Sequence, residues 1–162
     1  MINRENFNWK KHIRTGLEAT FFCALATREA HGVWACPVYF AYDEKLNLYF
    51  ISMPKSRHMK NIARDPRVAV AIYSTAQTPG GDVKGIQLEG RARIVRDKEV
   101  EEVYSIYFRR RFPVTGRSKN NPTAHMGPRA AWKFVKIVPK NIYYFDTRVF
   151  DETRVKVPRL RF

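Results

Sequence analysis

The sequence predicts a mainly β domain of the α+β kind: an antiparallel meander of about six or seven strands closing into a barrel, with short flanking helices. Three observations lead there. Runs of five to about fourteen residues are rich in β-branched and aromatic side chains. Turn-forming residues separate most of these runs. Only three short segments carry the apolar stripe of a helix. A meander this small leaves unpaired edges, and closure into a barrel removes them.

Asn8 is placed to cap a first helix running to about Thr20, with Ile13 and Leu17 on one face. Residues 21–27 read as a strand, Glu29-Ala30-His31-Gly32 as a turn, and 33–42 as the return strand. Asp43-Glu44-Lys45 turns the chain into a third strand over 48–52. A short helix follows with Met59, Ile62 and Ala63 on one side, and Pro66 ends it. Residues 68–73 form a fourth strand and 74–83 a polar loop. A long fifth strand spans 83–96, bent at Gly85 or Gly90. Asp97 caps a third helix whose stripe is Val100, Val103, Tyr104 and Tyr107. Residues 113–130 read as a loop, and strands over 131–138 and 141–145 complete the meander.

The 162 residues are expected to form one domain, with 147–162 a basic C-terminal tail whose order the sequence does not decide. Hydrophobic residues make up 44%, enough for a packed core. No apolar run of about 18 residues occurs, so no helical membrane span is expected. The N-terminus has no apolar signal region, and two cysteines do not make a disulfide framework. Both points favour a cytoplasmic location. The formal net charge of +15 favours anionic partners: nucleic acid, acidic lipid or phosphorylated small molecules.

The segment richest in chemistry is Pro54-Lys55-Ser56-Arg57-His58-Met59-Lys60-Asn61-Ile62. A helix N-terminus exposes unpaired N–H groups and the positive end of its dipole. Ser56 adds a hydroxyl there, and Arg57 and His58 add nitrogen donors, a combination suited to a phosphate. A serine cap with solvated basic neighbours accounts for the same residues. Cys23 and Cys36 fall nearly opposite on neighbouring strands, either as a redox pair or as small core residues. The histidines show no zinc spacing with them, and His125 follows a loop, where it is either solvated or turned toward a bound ligand. No P-loop or Rossmann glycine pattern occurs. Residues 109–136 are basic, with Arg117, Lys119 and Arg129 in the loop. Tyr107, Phe108, Phe112 and Trp132 serve there either as core or as stacking groups for nucleic acid.

The pieces Tyr42-Asp43-Glu44-Lys45, Leu48-Tyr49-Phe50-Ile51-Ser52, Ser56-Arg57-His58 and Asp65-Pro66-Arg67-Val68-Ala69-Val70 occur in one order without gaps. Together they resemble the flavin-binding core of the pyridoxamine 5'-phosphate oxidase-like superfamily, and the likeness extends over about 9–146. Ile86 to Ala92 resembles the family's next long strand, and residues 134–145 its closing hairpin. Lys55-Ser56-Arg57-His58, Lys84-Gly85-Ile86-Gln87 and Arg110-Arg111-Phe112-Pro113-Val114 resemble an uncharacterised bacterial branch rather than the oxidase itself.

The resemblance implies a split β-barrel that binds FMN between the subunits of a homodimer. Ser56, Arg57 and His58 would hold the phosphate. Ile51 and Ser52 would lie near the isoalloxazine, the backbone at Pro37, Val38 and Tyr39 would meet the flavin edge, and Gln87 would reach it from the partner chain. The departures are specific. Cys36 and Ala41 stand where the oxidase has a phosphate-binding arginine and lysine. His58 replaces a lysine, and Gly85 replaces a glutamine, with Gln87 two residues along. The oxidase's C-terminal basic substrate motif is absent. These changes imply a weaker grip on phosphate and a substrate other than pyridoxamine phosphate. The expected function is an FMN-dependent oxidoreductase acting on an anionic small molecule, with no side chain singled out as acid or base. The alternatives are a binding module for nucleic acid, or a split barrel using deazaflavin or haem.

Overall fold

The computed structural model describes residues 6–113, 121–151 and 154–158. After α1 (Trp9–Glu18) come β1 (Phe22–Glu29), β2 (Gly32–Tyr39), β3 (Ala41–Tyr42) and β4 (Leu48–Ser52). Then follow α2 (Arg57–Arg64), β5 (Arg67–Tyr73), β6 (Lys84–Ile94) and α3 (Val100–Tyr104). The chain closes with β7 (Lys133–Asp146), α4 (Thr147–Phe150) and β8 (Val155–Lys156). The strands form one antiparallel sheet in the order β2-β1-β5-β6-β7-β4-β3, with β8 added against β7. Strands β2 and β3 are therefore neighbours in sequence at opposite ends of the sheet. The chain crosses between them at Phe40, whose N–H donates to the Phe21 carbonyl at 3.1 Å. No ladder joins β2 to β4. The sheet curls into a barrel that is split along that line, the architecture the resemblance implied.

Alternation places one face of each strand inside. Leu25, Val70, Ile72, Ile86, Leu88 and Ile137 fill the barrel, and Ile13 and Leu17 of α1 pack into the same cluster. Asn8 caps α1 as the sequence indicates, its Oδ1 accepting from the Lys11 N–H at 3.0 Å. The other end of α1 is held by a distant cation. Arg111 Nη2 donates to the Leu17 and Thr20 carbonyls at 2.9 and 2.5 Å, satisfying acceptors that a helix end leaves open. A second cluster lies on the far side of β4 and β7. There Val100, Val103, Tyr104, Tyr107 and Phe108 pack on Tyr49 and Phe134. The chain widens into a π-helical stretch, Ser105–Arg111, which turns Tyr107 and Phe108 to the same side as Tyr104.

Three local expectations are corrected. The closing hairpin is one strand, β7, of 14 residues. Pro139-Lys140-Asn141 looks like a turn but is a bulge: Gly90 pairs with Pro139 and Glu89 with Asn141, so Lys140 is the extra residue. A Cβ on Gly90 would collide with the Val138 carbonyl, so the bend requires glycine. Asp97 caps no helix; its carboxylate accepts from the Gly127 N–H at 3.1 Å, and Glu99 accepts from the Arg96 N–H at 3.2 Å instead. Cys23 pairs with Val38 and Cys36 with Leu25, so the free cysteines are diagonal rather than opposite. Part of the tail is ordered, because β8 pairs with β7 and buries Val155 and Val157. Val114, Arg117 and Lys119 lie outside the described residues. Among those described, no helix is long and apolar enough to cross a membrane.

Candidate functional site

The split opens as a cleft of about 920 Å³. One wall is Pro37, Val38 and Tyr39 of β2; the other is Ile51 and Ser52 of β4. Tyr104, Tyr107, Phe108 and Phe112 form an aromatic floor, and Asn121, Ala124, His125 and Trp132 close the far side. His58 lines one end, where α2 begins. Six of the nine residues expected at the flavin thus share one cleft: Pro37, Val38, Tyr39, Ile51, Ser52 and His58.

The geometry at that end follows from how β4 turns into α2. The Ser56 N–H donates to the Met53 carbonyl at 3.0 Å, which closes the turn. Ser56 occupies the cap position, yet its hydroxyl makes no capping bond. It lies instead 3.1 Å from Ser52 Oγ and 3.2 Å from His58 Nε2. His58 Nε2 is 2.7 Å from Ser52 Oγ, and Nδ1 is 3.4 Å from Cys36 Sγ. One imidazole therefore spans β4 and β2, the two lips of the split. Burial pushes its pKa below the ordinary value, which favours the neutral ring. The first turn of α2 contains no acidic residue and its N–H groups have no side-chain cap. Uncapped donors, two hydroxyls and an imidazole converge there, an arrangement that receives an anion.

Arg57 faces elsewhere. Its Nε and Nη2 donate to the Glu29 carboxylate at 2.5 and 2.7 Å, and its Cζ lies 4.1 Å from the Trp34 ring centroid. The guanidinium holds Glu29 well below the usual carboxylate range, at about 2. Gln87 is also outside the cleft, on the outer face of β6, with Oε1 accepting from Arg154 Nε at 3.0 Å. It borders a shallow hollow lined by Ala24, Ala26, Ala35, Ala69 and Ala71.

His125 is not a solvated loop residue. It is half-buried, its ring lies nearly parallel to Phe108, and Nδ1 is 3.2 Å from the Trp132 carbonyl. A carbonyl only accepts, so Nδ1 carries the proton and Nε2 keeps its lone pair. Burial lowers its pKa as well. Tyr107 and Phe108 are buried at 5% and 6% exposure, which leaves Trp132 as the exposed member of the expected stacking group. Asn121 and Ala124 were missed because a loop has no period to read, whereas His125 takes the ligand-facing one of its two readings. The aromatic run Tyr104, Tyr107, Phe108 and Phe112 was the signal that a ring-lined surface lay nearby.

The cleft fits a flavin mononucleotide. A flat apolar ring suits the aromatic floor between β2 and β4, and a terminal phosphate suits the α2 N-terminus. Ala41 is fully buried and Cys36 is a neutral thiol beside His58, so neither supplies the positive charge of the residues it replaces. A phosphate at that end would meet N–H groups, Ser52, Ser56 and His58.

The sequence model of the pyridoxamine 5'-phosphate oxidase family matches residues 9–143. A UPF0306 protein of Cronobacter sakazakii is 31% identical over 83 residues, 51% of this chain and 56% of that protein. The matched segment thus spans about half of that relative. Among solved structures, a pyridoxamine 5'-phosphate oxidase-related, FMN binding protein from Nostoc punctiforme superposes with a TM-score of 0.65 at 14% identity, covering 91% of this chain and 89% of that one. A heme binding protein from Mycobacterium smegmatis superposes with a TM-score of 0.69 at 16% identity, covering 91% of this chain and 57% of the other. At such identities the superpositions establish the fold. The family match over most of the chain, joined to the split barrel, places this protein in the pyridoxamine 5'-phosphate oxidase family.

Proposed function

We propose that the cleft binds FMN and that the protein is an oxidoreductase acting on an anionic small molecule. One observation carries this reading: the aromatic cleft ends at the uncapped N-terminus of α2, where Ser52, Ser56 and His58 converge. Bound FMN supplies hydride chemistry at its ring. The chain's own residues position it: Tyr104, Tyr107 and Phe108 exclude water beneath the ring, and the α2 N–H groups hold the phosphate. The net charge of +15 favours an anionic substrate. The free cysteines suit a reducing cytoplasm.

The site is completed by a second copy of the chain. The alanine-lined outer face of β1, β2 and β5 carries no bulky side chain at its centre, so two sheets can approach closely. Gln87 of the partner subunit then reaches the cleft. Light scattering should give a dimer, and Ala26→Asp should yield a monomer that loses FMN. A flavin-loaded monomer would contradict the shared site.

A haem reading has one observation of its own. His125 lines the cleft with Nδ1 bonded to a carbonyl, which leaves the Nε2 lone pair free, so this side chain would be the one to hold a haem iron. Reconstitution with FMN and with haemin, each followed by desalting and a visible spectrum, separates the readings. Retained flavin bands support the first, and a Soret band lost in His125→Ala supports the second. A deazaflavin retained in preference to both would keep the site and change the cofactor.

A further inference from the structure

The far wall of the cleft is built on one short 3-10 turn, Pro122–His125, which Asn121 caps and His125 ends. Both residues line the cavity. Their side chains are committed in opposite ways. Asn121 Oδ1 accepts from the Ala124 N–H at 3.3 Å and from Thr123 Oγ1 at 2.7 Å. The amide oxygen therefore serves the turn. Nδ2, which can only donate, has no partner among the described residues. His125 is the converse. Its Nδ1–H serves the Trp132 carbonyl at 3.2 Å, and Nε2, left as an acceptor, has no partner among the described residues. Burial lowers the pKa of the ring, which keeps that lone pair unprotonated.

The pair is braced before any ligand arrives. The His125 ring packs against Phe134 and Phe108, at 4.8 and 6.1 Å between ring centroids. Just beyond the turn, the Asp97 carboxylate accepts from the Gly127 N–H at 3.1 Å, and Lys133 Nζ donates to the Gly127 carbonyl. Groups fixed in this way lose little freedom when a ligand binds. No lysine, arginine or carboxylate lines this wall. A ligand there meets directional hydrogen bonds and, on the floor, the flat rings of Tyr104, Tyr107 and Phe108. One fixed acceptor and one fixed donor on the same turn complement an N–H beside a C=O. A site built to make such bonds rejects an analogue that cannot make them, because its own polar groups are then left unpaired.

We infer that Asn121 and His125 select a planar ligand with a lactam edge, Nε2 of His125 accepting from its N–H and Nδ2 of Asn121 donating to its carbonyl. The inference rests on the cleft being the flavin site. That edge can come from two sources: the pyrimidine ring of the flavin itself, or a heteroaromatic substrate bound beside the flavin. In either case the far wall sets specificity, and the α2 end supplies the separate contact to phosphate.

The test has two arms, both on the full chain. The first is fluorescence titration with FMN and with FMN methylated at its ring N–H. The second is calorimetric titration of the FMN-loaded chain with lumazine and with its N-methylated form. If the flavin supplies the edge, methylated FMN should bind at least about tenfold more weakly than FMN. If a substrate supplies it, the two flavins bind alike and lumazine binds at least about tenfold more tightly than its methylated form. In both cases His125→Phe, which keeps the ring packing and removes the nitrogen, should abolish the preference. Asn121→Asp keeps the oxygen that serves Ala124 and removes the donor, so it should weaken the preferred ligand at least severalfold. Unchanged circular dichroism melting shows that both variants fold, and the wild-type comparisons stand without them. Two flavins bound alike with no preference for lumazine overturn the inference and leave the flavin reading in place. A preference that survives His125→Phe overturns it as well. A wild type that binds neither flavin overturns the flavin reading and the inference with it.

Discussion

His58 Nε2 and Ser52 Oγ meet at 2.7 Å, and through that contact the first turn of α2 is tied to the end of β4. The other ring nitrogen touches Cys36 of β2 at 3.4 Å. Protonation of this imidazole therefore acts on both lips of the split and on the proposed phosphate subsite together.

The pH dependence follows with a definite sign. Burial lowers the pKa of His58 and of His125 in the folded chain. The unfolded chain binds protons first, so this stability is fully present above the ordinary histidine value near 6.5. It is lost as pH falls through the lower folded values. The cofactor-free protein should melt at progressively lower temperature between about pH 7.5 and pH 5. His58→Asn should flatten that dependence. A bound phosphate favours the charged ring, so FMN should restore part of the loss at low pH.

The phosphate subsite makes a second prediction. Ser56→Ala should weaken FMN binding severalfold by removing a hydroxyl from the phosphate end of the cleft, whereas Arg57→Ala should leave it nearly unchanged, because Glu29 holds the guanidinium. Glu29 competes for Arg57 through a two-pronged contact at 2.5 and 2.7 Å. Glu29→Gln should release the guanidinium toward the phosphate and tighten FMN binding severalfold. Flavin fluorescence titration reads all of these, and a weaker Glu29→Gln complex would mean that Arg57 serves the hairpin and not the cofactor.

Gly90 should be intolerant of a side chain, because a Cβ there meets the Val138 backbone rather than a movable group. Gly90→Ala should cost about 1–3 kcal/mol. Urea unfolding with an unchanged slope is the check.

Arg111 should matter to stability rather than to flavin. Its Nη2 serves the two carbonyls at the end of α1, and burial depresses its pKa. Arg111→Met should destabilise by about 2 kcal/mol by orphaning those acceptors. FMN affinity, measured by the same titration, should stay within about twofold.

The strands and most of their bounds were legible because alternation is local: 48–52 was read as it stands, and the stripe Val100, Val103, Tyr104 and Tyr107 is buried throughout. Pro139-Lys140-Asn141 was misread because a proline looks the same in a turn and beside a bulge in its own strand. Only the pairing with Gly90 distinguishes them. The polar cluster at the start of α2 was legible as a short motif on a helix start. The floor was not, because Tyr104 and His125 meet through a loop and a π-helical turn. Arg57 was legible as a cation and not as the partner of Glu29, a contact across 28 residues of chain.

The central claim is that the aromatic cleft and the α2 N-terminus together hold a flavin. The direct measurement is the visible spectrum of the purified protein after FMN addition and desalting, in wild type and in Ser52→Ala/His58→Ala. The wild type should keep flavin bands near roughly 375 and 450 nm, the cofactor's own absorption, and the double variant should lose them. A wild type that emerges colourless, or a double variant that keeps its flavin, would contradict the account.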